Sequence, residues 1–238
     1  MRRFGVLIGV LVLTTAACGS SAGSTGAKPS STTKTTNPAT DRDARLGRAG
    51  LVRPADVPGF TAGPHSTKAE LDAIEARQRT IPECATFVAA RRDGEHQQRS
   101  PRFKRQQGAS VDSSTDIYPD ASAIAAQLEL YRDPTIIDCL RVLYTALIAE
   151  RLGTTATVDQ VDVSPIAVEN VGDGQFGFRL SVTISKSGQS QTILSDIVGV
   201  QVGRVGLSLN VGGSQAEMAE LESRLVPLLV DRLQRAGA

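Results

Sequence analysis

The amino-acid sequence has no tryptophan, and aromatic residues make up only 4% of its 238 positions. It therefore offers few of the flat side chains on which nucleobases stack. Nor does it carry an excess of one charge, since 26 basic residues stand against 25 acidic ones, for a formal net charge of +1. Dedicated nucleic-acid-binding proteins usually carry a strong basic excess, so we predict no nucleic-acid partner.

Residues typical of catalytic and metal sites are equally few. His65 and His96 are the only histidines, and both stand in polar, turn-like segments. The sequence contains no CxxC pair and no HExxH motif, so no redox or zinc site is indicated. We therefore predict that the protein is not an enzyme and has no catalytic residues, cofactor or metal. The alternative is an unrecognised envelope hydrolase acting on wall or lipid substrates, in which folding brings a serine, an aspartate and one histidine together.

The first 17 residues are typical of a secretory signal peptide. Arg2 and Arg3 precede an unbroken apolar run over residues 5–13, and small residues follow it. As a helix this run would extend about 14 Å, well short of the ~30 Å hydrocarbon core of a membrane. We predict that residues 1–17 are removed rather than kept as a membrane-spanning helix.

Residues 13–18, LTTAAC, resemble the lipobox of bacterial lipoproteins, in which the cysteine is acylated and becomes the new N-terminus. Ala16 and Ala17 fit this motif, whereas Thr15 stands where leucine is most usual. The resemblance implies lipidation of Cys18, for example with palmitate, and therefore a protein anchored by lipid to the outer face of the bacterial cell membrane. The alternative is a plain signal peptide followed by an incidental cysteine.

Residues 18–45 follow as a predicted tether. Between Gly19 and Thr40, 11 of 22 residues are serine or threonine, and no acidic or large apolar residue is present. Such a segment cannot bury enough apolar surface to offset its chain entropy, so we predict that it is disordered. A flexible segment after a lipidated cysteine would hold a folded domain away from the membrane.

Two cysteines remain if Cys18 carries lipid. Cys84 and Cys139 would then lie in an oxidising compartment, and we predict that they form a disulfide bond. Closing a loop of about 55 residues would stabilise the fold by roughly 4 kcal/mol through the entropy of loop closure. The alternative is two buried free thiols.

Residues 46–238 suit a single domain, and their patterns predict an α+β fold in which an antiparallel sheet packs against helices. Capping boxes at Thr67 and Ser214 indicate two helix starts, Asp120 and Asp133 indicate two more, and Pro82 a fifth. Strands are predicted where apolar and polar residues alternate, over residues 109–117, 158–163, 176–184, 198–202 and 205–211.

A basic segment before the first long strand is a candidate binding surface. Arg99, Arg102, Lys104 and Arg105 lie there and are candidate contacts for an anion such as a phosphate or a lipid headgroup. The alternative is a solvated connector between helix and sheet.

The apolar face of the strand over residues 176–184 is a second candidate. Apolar helix stripes over residues 140–147 and 221–229 are available to cover it. If they cover it fully, this face is core; partial coverage would leave a groove for a small lipid-like ligand. The residues of this face are Phe176, Phe178, Leu180, Val182 and Ile184.

Short segments spread over residues 46–236 complete the pattern begun by Cys18 and the tether. They are ADVPG at 55–59, Cys84, DCL at 138–140, GR at 203–204 and DRL at 231–233. This layout resembles actinobacterial envelope lipoproteins whose single domain is similar to the extracellular sensor domain of receptor-type serine/threonine kinases. Those sensor domains tend to carry two disulfides, whereas one is available here. The resemblance implies a non-enzymatic domain outside the cell that binds a small ligand, a lipid or an envelope protein.

Overall fold

A computed structural model describes residues 38–91, 94, 96–106 and 108–238 of the chain. The predicted signal peptide, Cys18 and most of the predicted tether lie outside these residues. Within the described ranges, no helix is both long enough and apolar enough to cross a membrane.

The described chain is an α+β domain built on one antiparallel sheet of eight strands, which confirms the predicted fold class. The strands are β1 (Thr61–Ala62), β2 (His96–Arg99), β3 (Phe103–Lys104), β4 (Ser110–Ile117), β5 (Thr157–Pro165), β6 (Gly174–Lys186), β7 (Gln189–Val202) and β8 (Val205–Gly212). Their order across the sheet is β1-β3-β4-β8-β7-β6-β5, and β2 also pairs with β4. Hairpins join β6 to β7 and β7 to β8, so the longest strands are neighbours both in the chain and in the sheet.

Of the six α-helices in the described ranges, the last five begin at or close to a predicted start signal, and the first was not predicted. The hydroxyls of Thr67 and Ser214 each accept a hydrogen bond from the backbone amide three residues on, and the glutamate carboxylate there accepts one from the backbone amide of the cap residue. Asp120 caps its helix by accepting from the Ala123 amide. The α-helices are α1 (Pro38–Ala49), α2 (Lys68–Arg79), α3 (Ala85–Ala90), α4 (Ala121–Arg132), α5 (Thr135–Leu152) and α6 (Gln215–Ala236).

The sheet separates two hydrophobic cores, one on each face. Side chains alternate between faces along a strand, so Val198, Val200 and Val202 of β7 point together towards α1 and α6, where the first core lies. The even-numbered apolar residues of β6 point the other way, towards α5. The reason is the pairing of β6 with β7, which sets Phe178 opposite Ile197 rather than opposite Val198.

This arrangement corrects the predicted role of the last helix. The apolar stripe over residues 221–229 does not cover the face of Phe176 to Ile184, because α6 packs on the opposite side of the sheet. The face is instead covered by α5 and by the segment around Cys84 and Phe87. Phe178, Leu180, Val182 and Ile184 are all buried, so this face is core.

The folded part of the chain starts earlier than the predicted boundary at residue 46. α1 begins at Pro38, inside the predicted tether, and its Leu46 and Ala49 enter the first core. Asp43 on the same helix is buried and forms an ion pair with Arg204 of the β7–β8 turn. Serine and threonine become sparse after residue 40, and a charged helix with one apolar stripe follows.

Cys84 and Cys139 lie at disulfide distance, with their sulfur atoms 2.13 Å apart and their Cα atoms 4.6 Å apart. Cys84 ends the short 3-10 turn Pro82–Cys84 before α3, and Cys139 lies in α5. Both cysteines are completely buried in the second core. The predicted pairing therefore fastens α5 to the segment that covers one end of the sheet.

Candidate functional site

A pocket of about 180 Å³ opens between α6 and the segment that connects β5 to β6. It lies on the α6 side of the sheet, and Val198 of β7 is among its lining residues. We call it the α6 pocket; its lining residues are Ala167, Val168, Glu169, Val198, Ala219, Glu222, Ser223 and Val226. Most of these side chains are apolar, two are acidic and none is basic.

Gly177 of β6 allows the connecting segment to lie close against the sheet. The Ile166 amide donates a hydrogen bond of 2.9 Å to the Gly177 carbonyl oxygen. A Cβ atom at residue 177 would lie 2.6 Å from Val168 Cγ2 and 2.7 Å from Ile166 Cγ1, which is closer than van der Waals contact permits. The missing side chain therefore lets Val168 form one wall of the α6 pocket.

An ion pair between neighbouring strands lies on the same face of the sheet. Arg179 of β6 and Asp196 of β7 are directly opposite each other in the ladder. Arg179 donates from Nε and Nη2 to the two carboxylate oxygens of Asp196, at 2.8 and 2.6 Å. Asp196 is wholly buried, and this hydrogen bonding raises the pKa of the Arg179 guanidinium further. The pair is thus a fixed, internally neutral unit.

Glu222 of α6 stands beside this ion pair and lines the α6 pocket. Burial, a hydrogen bond with Asp196 and the negative charge of that carboxylate together raise the pKa of Glu222 to about 7, although Arg179 acts in the opposite direction. Within the described part of the chain, the Oε1 atom of Glu222 is buried and has no hydrogen-bond partner. The pocket is therefore lined by a residue whose carboxyl group titrates near neutral pH, and one oxygen of that group is buried without a partner among the described residues.

Sequence reasoning missed Asp196 and Glu222, although each leaves a signal. Asp196 is the one charged residue of β7, in a strand that otherwise becomes apolar. Glu222 lies four residues from both Met218 and Val226, so it occupies the same helix row as two buried apolar residues. A charged residue on the buried face of a helix indicates either a polar partner in the core or a ligand-binding site. What the sequence could not supply is that the two carboxyl groups meet.

The four candidate anion contacts have different partners in the structure. Arg102 donates to Asp112 at 2.7 Å, and Arg105 lies 3.6 Å from Glu217 with its guanidinium 4.8 Å from the centre of the Phe60 ring. The Arg99 Nε atom donates to the Gln97 side chain at 3.4 Å.

Partial burial lowers the pKa of Lys104, and the nearby charge of Arg102 lowers it further. The carboxylates of Asp112 and Glu217 offset two of the four positive charges. The proposed contact of this segment with an anion stays a prediction.

The two histidines lie far apart in the chain and in different surroundings. His65 is exposed in the connection before α2. His96 begins β2, and its Nε2 atom lies 3.9 Å from an Asp43 carboxylate oxygen, beyond hydrogen-bond distance. Arg204 already binds that carboxylate. Among the described residues, neither histidine hydrogen-bonds to a serine hydroxyl, and no three histidine, cysteine, aspartate or glutamate side chains group as metal ligands.

No protein-family model matches the chain, and no curated protein does. Among solved structures, the chain is similar to the extracellular domain of PknH from Mycobacterium tuberculosis, with 10% sequence identity and a TM-score of 0.29. The matched region covers 57% of this chain and 62% of that domain, so the chain spans less than two thirds of its length. A likeness this remote assigns no function.

Proposed function

We propose that the protein is a non-enzymatic lipoprotein of the bacterial cell envelope whose sensor-like domain binds a small ligand in the α6 pocket. The observation that carries the ligand-binding proposal is the combination of apolar walls with the carboxyl group of Glu222, whose Oε1 atom has no hydrogen-bond partner among the described residues. Ligand sites are mostly apolar and contain a few polar groups that orient the ligand. A buried acceptor without a donor destabilises a fold, so its presence beside a pocket favours a group that binds from outside.

The envelope location has separate support. The signal-like residues 1–17 and the lipobox-like Cys18 favour export and a lipid anchor. The disulfide between Cys84 and Cys139 suits an oxidising compartment.

The size of the pocket limits the ligand. An apolar cavity of about 150 Å³ holds a molecule of the size of benzene, and the α6 pocket has about 180 Å³. This volume favours a small molecule, or one end of a larger one, over a complete lipid. The face of Phe178, on which only partial coverage would have left a groove for a lipid-like ligand, is covered by α5.

Native mass spectrometry of protein purified from its own envelope tests the proposal. We expect a small molecule to co-purify with the wild type and to be lost in Ala219→Trp, which places an indole in the α6 pocket. Ala216→Trp, at an exposed position on the same helix outside the lining, should retain it. A ligand that survives Ala219→Trp, or wild-type protein that takes up nothing from an envelope extract, would contradict binding at this pocket.

A further inference from the structure

The charge around the α6 pocket is unbalanced, and this bears on the class of ligand. Among the described residues, Glu169 and Glu222 line the pocket and no lysine, arginine or histidine does. Below them the two hydrogen bonds from Arg179 both go to Asp196, so that cation is already matched by a buried carboxylate. When Asp196 and Glu222 are both ionised, the two carboxylates therefore carry one negative charge more than Arg179 offsets.

The walls restrict what kind of cation fits. Ala167, Val168, Val198, Ala219 and Val226 provide an apolar surface that would not solvate a bare inorganic ion. A ligand with a short alkyl part can contact these walls while its charged end reaches Glu222. The pocket volume of about 180 Å³ suits an alkyl part of roughly four to six carbon atoms, by comparison with cavities that hold benzene.

We propose that the α6 pocket binds a primary alkylammonium group, with its nitrogen donating to Glu222 and its alkyl chain lying between Val168, Val198 and Val226. This inference rests on the proposed function, because it names the ligand class of the same pocket. Free small amines and the terminal amine of a longer molecule share this chemistry.

Binding of an ammonium group should be linked to loss of a proton from Glu222. The titratable or charged groups that face it are Asp196 and Arg179 from the sheet and Glu169 from the connecting segment. Since the pKa of Glu222 is about 7, about a tenth of its carboxyl groups are ionised at pH 6 and about nine tenths at pH 8. An ammonium ligand remains charged throughout, so its affinity should be about tenfold higher at pH 8 than at pH 6.

The experiment is a chemical-shift titration of the folded domain with butylammonium chloride and, separately, with 1-butanol as a neutral probe of similar size. At pH 8 we expect butylammonium to shift the amides of α6 and of residues 166–169, with weaker binding of butanol. Glu222→Gln should weaken butylammonium binding at least about tenfold. Glu220→Gln, two residues away and exposed, should change it less than twofold.

The wild-type measurement at pH 6 keeps the test independent of how well Glu222→Gln folds. Equal affinities for the two probes, or for butylammonium at pH 6 and pH 8, would overturn the ammonium assignment. If both probes bind equally and Ala219→Trp blocks both, the pocket still binds ligands and only their class is wrong. If neither probe binds, this inference fails, and the co-purification experiment decides the proposed function separately.

Discussion

Arg179 and Asp196 lie opposite each other on two neighbouring strands, and the Arg179 guanidinium donates two hydrogen bonds, of 2.8 and 2.6 Å, to the Asp196 carboxylate. Asp196 is wholly buried. Removing one member of such a pair leaves the other charge without compensation. Breaking a buried ion pair usually lowers the free energy of unfolding by about 3–5 kcal/mol. Because a quarter of the Arg179 side chain is exposed, we expect a loss in the lower part of this range.

The first prediction concerns this pair. In a Glu222→Gln background, which removes the second carboxylate that acts on Arg179, Asp196→Asn should lower the free energy of unfolding by about 3 kcal/mol. Urea denaturation measures this difference. Asp231→Asn removes a carboxylate from the exposed ion pair with Arg235 and should cost less than about 1 kcal/mol. Equal losses at the two sites would show that burial of Asp196 adds nothing.

The second prediction is a pH dependence from Glu222. Its pKa rises from an ordinary value of 4.5 to about 7 on folding, so the folded state holds the proton more tightly than the unfolded state. The stabilisation from this group is therefore complete below pH 4.5 and is lost as the pH rises through 7. Glu222→Gln should gain stability relative to the wild type between pH 4.5 and 7 and remain level above. A stability difference that stays constant over this range would refute the raised pKa.

The third prediction concerns the disulfide. Unreduced tryptic peptides should contain Cys84 linked to Cys139, and a double Cys84→Ala/Cys139→Ala variant should lose about 4 kcal/mol of unfolding free energy through the 55-residue separation. Reducing agent should destabilise the wild type and leave the double variant unchanged. Recovery of two freely alkylated thiols from native protein would contradict the bond.

The fourth prediction tests where the domain begins. A chain starting at residue 46 lacks Asp43, which pairs with Arg204, and the Ala44 carbonyl, which accepts from Gln98. It should be less stable than a chain starting at residue 38 by about 2–3 kcal/mol, since both contacts connect α1 to the sheet. Thermal and urea unfolding of the two chains measure the difference. If the two chains are equally stable, the folded domain begins at residue 46, as the sequence predicted.

The fifth prediction concerns the anchor. Cys18→Ala should give a product that is either uncleaved or shed from the cell, because no acyl chain can then be attached. Fractionation of cells and intact-protein mass spectrometry read out both results. If the variant keeps the membrane retention and the lipid mass of the wild type, Cys18 is not the lipidated residue.

Local patterns in the sequence were sufficient for the fold class and for the start of every described α-helix except α1. Thr67 and Ser214 cap helices through interactions within three residues of themselves, and the alternation along β6 concerns one strand alone. Such features depend on short-range geometry, which a single sequence displays.

Which face of the sheet each helix packs against could not be predicted from such local patterns. It depends on the β6–β7 register, which places Lys186 opposite Gln189 around a turn of two residues with positive φ, Ser187 and Gly188. The meeting of Asp196 with Glu222 depends in turn on that allocation, because Asp196 points towards α6 only in this register. Both relationships join residues that are distant in the chain, and neither leaves a periodic signal.

The two-sided use of β7 also constrains how the length of this protein can change during evolution. Val198 belongs to one core, while Ile197 beside it points to the other face, opposite Phe178. Insertion of one residue within the strand would turn every later side chain to the other face, exposing one hydrophobic set and burying polar groups in its place. Insertions and deletions are therefore expected at the Ser187–Gly188 tip and in the loops, whereas descendants of this sequence should keep the length of β7 unchanged.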